Sequence, residues 1–250
     1  MDNPLVTIIT PLYNAVDYFE ETYKSVLAQS FADFEWIIVD DLSTDGSFEL
    51  AEKLSESDKR IRLLKVIKKG GPAQARNIGL KNSKGHYIVF LDSDDLLDAD
   101  FLEEQVAFIK DNGPIITASY RRLASSSITD FIVPKSSTYK KILNGNPLSC
   151  LTTMYDKNII GEAYFPEDLD KAEDYVFWLR ILKQGYIAKG NQKVLATYRI
   201  LQKSRSSNKK SLIKTMYRIY HQVMGINWLS SVYHVARWGI YGLRKYRNVK

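Results

Sequence analysis

Short apolar runs alternate along this chain with stretches whose apolar positions recur every three to four residues. Leu5 to Thr10 (LVTIIT), Phe34 to Val39 (FEWIIV), Ile61 to Val66 and Tyr87 to Leu91 read as strands, the last with the composition of a strand buried on both faces. Between them, three helices are predicted. Tyr18 to Gln29 carries Phe19, Tyr23, Val26 and Leu27 on one stripe, with Asn14 or Asp17 as its cap. Ser43 or Asp45 opens the second, near Ser47 to Ser57, and the break at Gly70, Gly71 and Pro72 precedes the third, near Ala73 to Asn82. A helix near Ala99 to Lys110 and a strand near Ile115 to Tyr120 continue the alternation. This spacing predicts an α/β fold: a single Rossmann-like, mostly parallel sheet flanked by helices, with ligands held outside the carboxyl ends of its strands.

Further along, the pattern loosens. Residues 121–150 are irregular, with a serine run at 125–127 and turn residues from Asn144 to Pro147. Leu148 to Tyr155 reads as a strand returning to the sheet. Glu173 to Lys183 (EDYVFWLRILK) reads as a helix burying Val176, Phe177, Leu179 and Leu182, and Val194 to Ile200 as the last strand. Two helices follow, near Ser211 to Met224 and Trp228 to Tyr246, which divides the chain into a body, residues 1–205, and a helical tail, residues 206–250.

Charge divides the chain earlier, at Asp174. The formal net charge is +6, yet Asp174 is the last acidic residue, and 16 Lys and Arg follow it. Residues 1–174 therefore sum to −10 and residues 175–250 to +16, and the basic part suits an anionic partner: a lipid headgroup surface, nucleic acid, or the acidic face of the body itself. In the last helix, Leu229, Val232, Tyr233, Ala236, Ile240 and Leu243 share one face, with Trp228, Trp238 and Tyr241 near its margins. Arg237, His234 and Ser231 interrupt any spanning run, and a basic, aromatic, amphipathic helix fits the membrane interface. The alternative is packing on the sheet or on a second subunit. Cys150 is the single cysteine, so no intrachain disulfide and no cysteine-based zinc cluster can form. With no basic region ahead of the first apolar run, a secretory signal is not expected and a reducing, cytosolic compartment is.

The predicted fourth strand ends in Asp92, Ser93, Asp94 and Asp95. Three carboxylates at one strand exit repel, and a Mg²⁺ or Mn²⁺ ion bound together with a diphosphate removes the conflict. One Asp there could instead cap the next helix. Asp40 and Asp41 end the second strand on the same edge, and Arg76 follows the Gly-Gly-Pro break, where a guanidinium suits phosphate or could pair with a nearby Asp. Glu173 and Asp174 open a helix, where acids commonly complement the macrodipole. The first strand–helix turn, TPLYNA, has no glycine, which argues against a dinucleotide site, and no GxxxxGK[ST] loop occurs. His86, His221 and His234 form no metal or triad spacing.

In order, TIITPLYNA, WIIVDDLSTDGS, GGPAQARNIGL, YIVFLDSDD and EDYVFWLRIL resemble family 2 of the inverting glycosyltransferases, and among them bacterial enzymes of O-antigen, capsule or teichuronic acid assembly. The resemblance covers Thr7 to about Ser206 and implies the A-type nucleotide-sugar fold. It implies that Pro11, Tyr13 and Asp40 form the base-binding part of the pocket, with Asp41 and Asp45 beside it. Arg76 lies near the nucleotide and its diphosphate, Asp92 faces the ribose, and Asp94 binds Mn²⁺ or Mg²⁺. Asp174 is implied as general base with Glu173 in support, and Trp178 and Arg180 as the acceptor side. The implied donor is a nucleotide sugar, a UDP-sugar in the commonest case. The implied acceptor is a glycan or an undecaprenyl-type lipid-linked saccharide, met at the inner face of the cytoplasmic membrane.

Two departures stand out. Many members of the family it resembles carry a histidine two residues after a Tyr-Arg pair, whereas Tyr198-Arg199 is followed here by Ile200 and Leu201, leaving water, or Lys203 and Arg205, to reach the diphosphate. The Gln-x-x-Arg-Trp motif and membrane spans of processive synthases are absent, which implies one sugar per encounter. A nucleotidyltransferase would show a Gly-rich first turn, a non-catalytic scaffold would not need Asp94 and Asp174, and no nucleic-acid motif accompanies the basic tail.

Overall fold

A computed structural model describes residues 3–125, 127–201 and 209–245. Its first half alternates strand and helix: β1 (Val6–Leu12), α1 (Val16–Leu27), β2 (Phe34–Asp40), α2 (Ser47–Ser55), β3 (Ile61–Lys65), α3 (Gly71–Asn82) and β4 (Tyr87–Phe90). Then come β5 (Leu96–Leu97), α4 (Phe101–Asn112), β6 (Ile115–Ala124), β7 (Ser127–Phe131), β8 (Ser136–Ser137), α5 (Tyr139–Ile142), β9 (Thr153–Asp156) and α6 (Lys157–Ile160). The chain continues through α7 (Glu173–Lys183), β10 (Ala188–Arg199), α8 (Lys209–Arg218), a π-helical turn (Ile219–Val223) and α9 (Trp228–Lys245).

These strands form one sheet in the order β3-β2-β1-β4-β9-β6-β10-β5, with β7 on β6 and β8 on β10. β3, β2, β1 and β4 run parallel, as do β6 and β10, while β9 runs antiparallel between β4 and β6. The sheet is thus mixed but mostly parallel, as the alternation predicts. β1, β2 and β4 are buried along their whole length, the signature of helices on both faces. One core, around Ile8, Phe19, Trp36 and Val89, lies under α1, α2 and α4. The other, around Phe90, Phe177, Trp178 and Leu179, lies under α3 and α7 and takes in Met216, Ile219 and Tyr220 from the chain's end.

The structure corrects several boundaries. β1 does not stop before Pro11 but runs two residues further, with Pro11 opposite Val39 and Leu12 opposite Asp40. Pairing with β4 ends at Ile9, so the missing Pro11 N–H falls on the side of the strand where the ladder has already stopped. Neither Asn14 nor Asp17 caps α1: Ala15 precedes it, and Asn14, at φ 46, bonds instead to the next loop. Thr22 replaces Leu27 on its buried face, and Leu27 is exposed. The serine-rich stretch read as irregular contains β7, a short strand on β6 whose alternate residues are exposed.

Candidate active site

Parallel pairing brings the carboxyl ends of β1, β2 and β4 to one edge, and the loops leaving them are tied together by short polar side chains. Asn14 N–H donates to Ser43 Oγ at 3.1 Å, and Thr44 N–H donates to Asn14 Oδ1 at 2.8 Å. The first amides of α1 are met from the second loop: Ala15 N–H by Ser47 Oγ at 2.8 Å and Val16 N–H by Asp45 Oδ2 at 3.0 Å. Asp41 accepts from the Gly70 and Gly71 N–H groups at 3.0 and 2.9 Å, holding the third loop against the second. Two acids of the edge, Asp41 and Asp45, are therefore spent on satisfying backbone donors. Asp40 is fully buried and accepts from Ser43 N–H with both oxygens, at 3.3 and 3.2 Å. Tyr13 stands out from the same edge, 42% exposed, with Lys69 Nζ 3.6 Å from its ring centroid.

Gly71 adopts φ +76, open to glycine at no steric cost, and turns the chain into α3. One turn on, Arg76 is 4% exposed beneath the loops. Its Nη2 donates to Asp92 Oδ1 at 2.6 Å and its Nη1 to Glu173 Oε1 at 3.2 Å, while the guanidinium carbon lies 5.3 Å from the Phe165 ring centroid. Of the two sequence readings of Arg76, phosphate or carboxylate, the structure displays the second, with two partners rather than one. Burial works against its charge, but Asp92 and then Glu173 outweigh it and hold the guanidinium protonated.

The loop after β4 is clamped from both sides. Thr22 Oγ1, buried in α1, lies 3.0 and 2.9 Å from the carbonyl oxygens of Ser93 and Asp95. From β10, Arg199 N–H donates to Asp95 Oδ1 at 2.8 Å, Arg199 Nη1 donates to the Asp94 carbonyl at 3.0 Å, and its Nη2 pairs with Glu21. Neither Thr22 nor Arg199 is a site candidate from the sequence. Asp94 forms no ion pair among the described residues, and burial, then the neighbouring Asp92 charge, push its carboxyl up to about 6. Asp95 is 1% exposed, and burial, then Asp94, raise its carboxyl well above the ordinary value.

Across from this loop, Ala172 at φ 60 starts α7, and Glu173 and Asp174 form its first turn. Glu173 pairs with Arg76, and Asp174 sits beside it, partly buried, its carboxyl pushed up to about 6 by burial and by Glu173, against the pull of Arg76. A carboxylate near 6 is ionised at neutral pH and still basic enough to take a proton, the balance a general base needs. Asp92, Arg76 and Glu173 thus form a continuous chain of charge from the exit of β4 to the start of α7. Cys150, buried near these groups, is held as a neutral thiol by burial.

Trp178 does not line this surface. It is 0% exposed, packed edge-on to Phe90, Tyr155 and Phe177, because α7 is buried almost all round and not on one stripe alone. Arg180 is exposed on α7, six residues beyond Asp174. His86 pairs with Asp156, His221 meets Ile226 O and His234 meets Asn144, so each histidine has a local partner. Leu201 is the last described residue before 202–208, and Lys203 and Arg205 lie outside the described residues.

A hard divalent cation fits this donor set. Asp92 keeps 36% of its side chain exposed next to an Asp94 whose charge is opposed by burial and by Asp92 itself. No group of three His, Cys, Asp or Glu converges on one point among the described residues, so an ion here would share its coordination between one or two carboxylates, water and substrate phosphate.

Comparison with known proteins gives this geometry its relatives. The description Glycosyl transferase family 2 matches residues 7–156. The chain is 35% identical over 246 residues to TuaG of Bacillus subtilis (strain 168), a glycosyltransferase named for teichuronic acid biosynthesis, covering 97% of each. It is equally, 35%, identical over 250 residues to WfgD of Escherichia coli, a UDP-Glc:α-D-GlcNAc-diphosphoundecaprenol β-1,3-glucosyltransferase, covering 98% of this chain and 96% of that one. Among solved structures, Staphylococcus aureus TarS 1–349 in complex with UDP-GlcNAc superposes with a TM-score of 0.74 at 22% identity, over 98% of this chain and 74% of that one. With a matched stretch from β1 to β9 and full-length relatives at this identity, the chain is a glycosyltransferase and belongs to glycosyl transferase family 2.

Proposed function

We propose that this enzyme moves one sugar, with inversion, from a UDP-sugar to a hydroxyl of a lipid-linked saccharide during cell-surface polysaccharide assembly at the inner face of the cytoplasmic membrane. The observation that carries the reading is the Asp92–Arg76–Glu173 chain, with Arg76 and Glu173 buried, which joins the acid cluster at the strand exit to the first turn of α7, where Asp174 follows. Family membership, together with the donor and acceptor in the name of WfgD and the pathway in that of TuaG, supports the substrate classes.

In this mechanism Asp174 takes the proton of the acceptor hydroxyl as its oxygen attacks the anomeric carbon. The bond from that carbon to the diphosphate breaks, and its electron pair leaves with the nucleoside diphosphate. Glu173, fixed by Arg76, raises the basicity of Asp174 and is a positioning residue. Tyr13 and Pro11 flank the base at the end of β1, Asp40 stands below them, and Asp92 faces the ribose. Asp94 would hold Mn²⁺ or Mg²⁺, which supplies charge neutralisation at the departing diphosphate. Arg180 faces the acceptor side from the surface of α7. Residues 1–205 carry this chemistry and residues 206–250 serve the approach to the acceptor.

Released nucleoside diphosphate, measured over a panel of nucleotide sugars with Mn²⁺ or Mg²⁺, tests the proposal. Turnover of one UDP-sugar, lost in Asp94→Ala and in Asp174→Ala, is expected. Tight UDP binding with no turnover in any acceptor mixture favours a non-catalytic binding protein, and no nucleotide binding at all sinks the transferase reading.

A further inference from the structure

α9 has two usable faces, and the body takes only one. On the inner face, Ser231 is buried and donates to Ile226 O, Val235 and Trp238 pack on the core beside α7, and His234 Nδ1 lies 3.1 Å from Asn144 Oδ1. The seat is close enough that a side chain at Gly145 would overlap the Tyr241 ring. The opposite face is the apolar one predicted from the sequence, and it turns outward. Trp228 (60%), Leu229 (62%), Val232 (52%), Tyr233 (55%), Ile240 (48%) and Leu243 (72%) are all exposed, and Arg237 and Arg244 are exposed along one margin. At 100° per residue Leu229, Val232, Tyr233, Ile240 and Leu243 fall opposite the inner-face residues, with Trp228 at the margin between the two faces.

We infer that this face seats on an anionic phospholipid surface. Its purpose rests on the proposed lipid-linked acceptor, though its evidence does not. A bare apolar face of this length on a monomer marks an interaction site. Three observations choose the occupant. No acidic residue occurs after Asp174, so a second copy of the same face would bring like charges together, whereas phosphate headgroups complement Arg237 and Arg244. No described helix is long and apolar enough to cross a bilayer, and aromatic residues lie among the aliphatic ones, the composition of a helix lying in the interface. Lastly, α9 ends at the catalytic edge: the Lys245 carbonyl accepts from Arg122 near the end of β6, and Lys245 Nζ lies 5.7 Å from the Tyr120 ring centroid. A surface touching α9 therefore runs up to the site, where a headgroup-linked sugar would arrive along the plane of the membrane.

Flotation of the full chain with phosphatidylglycerol and with phosphatidylcholine vesicles tests this. The wild type is expected to float with phosphatidylglycerol and weakly or not at all with phosphatidylcholine. Ile240→Glu and Leu243→Glu should each lower partitioning about tenfold or more, since each withdraws one large apolar side chain from the interface. Replacing Arg237 and Arg244 by Gln should erase the preference for the anionic lipid. Donor turnover without vesicles and the melting temperature should stay at wild-type values, so a failed membrane seat is distinguishable from a failed transferase. Brominated phosphatidylglycerol should also quench wild-type tryptophan emission, and Trp228→Phe should remove most of that quenching. Wild-type protein that ignores vesicles, or variants that float as it does, overturn the inference. A concentration-dependent dimer lost in the same variants, with no flotation, gives the face to a second copy.

Discussion

Arg76 is the point on which the two halves of the site meet. Its side chain is almost wholly buried, and both carboxylates that neutralise it are brought in by other elements. Arg76→Met would leave Glu173 buried beside Asp174 with no cation between them. Breaking a buried pair from one side costs about 3 kcal/mol, a little less here because Asp92 is partly exposed. Chemical denaturation should show that loss at pH 7; a loss below about 1 kcal/mol contradicts the assignment.

The raised Asp174 carboxyl fixes two pH dependences at the same scale. With its ordinary value at 3.8 and its folded value near 6, the folded chain holds this proton where the unfolded chain has lost it. The group therefore costs nothing below about pH 4, and its penalty grows to a full value above about 6. Asp174→Asn should gain stability relative to the wild type as pH rises from 4 to 6, and hold that gain above. Activity runs the other way: kcat/KM should rise through about pH 6 to a plateau, as the base must be ionised. A profile flat from pH 5 to 8, with chemistry limiting, would remove Asp174 from the role.

Among elements, α3 and α9 make opposite use of glycine. At Gly79 a Cβ would overlap Ile9 Cγ2 on β1, so the residue lets α3 lie close enough to the sheet for Arg76 to reach Asp92. Gly79→Ala should cost about 1–3 kcal/mol by overpacking, less the ~1 kcal/mol that alanine returns in a helix, and should lower turnover as well. Gly242 in α9 has nothing within 4 Å of its absent Cβ, so Gly242→Ala should add about 0.5–1 kcal/mol and leave turnover alone. Urea midpoints for the two variants that move together would refute this contrast. Legibility also differs between elements. β2 and α7 begin where the pattern places them because their apolar sets are long and local. β5, β7 and β8 are short strands at the margins of the sheet, and their hydrogen bonds to partners distant in sequence, not their own apolar pattern, define them.

At the scale of the whole molecule, the tail is held to the body as well as presented outward. Tyr220 Oη lies 2.9 Å from Tyr175 Oη and donates to Leu143 O at 2.8 Å, and Met216, Ile219 and Met224 are buried with it against α7. A chain cut before Ser211 would uncover that surface, so it should melt well below the full chain and aggregate. Point substitutions on α9 are thus the cleaner probe of its outer face. A truncated chain as stable as the full one by calorimetry would show that the tail adds nothing to the core.

The alternation of apolar runs and helical stripes was enough to determine an α/β fold, and the sequence alone lists the acids at its strand ends, because both are properties of neighbours along the chain. Only the tertiary structure decided how those acids are used. Asp41 and Asp45 are occupied by amides of other loops, Arg76 is held by carboxylates 16 and 97 residues away, and Thr22 and Arg199 clamp the Asp92–Asp95 loop from α1 and β10. The same holds for side chains that looked amphipathic. Trp178 lies inside because α7 is covered on nearly every side, and the apolar stripe of α9 lies outside because its opposite face docks. Periodicity tells how the sides of a helix differ, but which side is buried depends on what else packs there, and that is written in contacts between residues far apart in the chain.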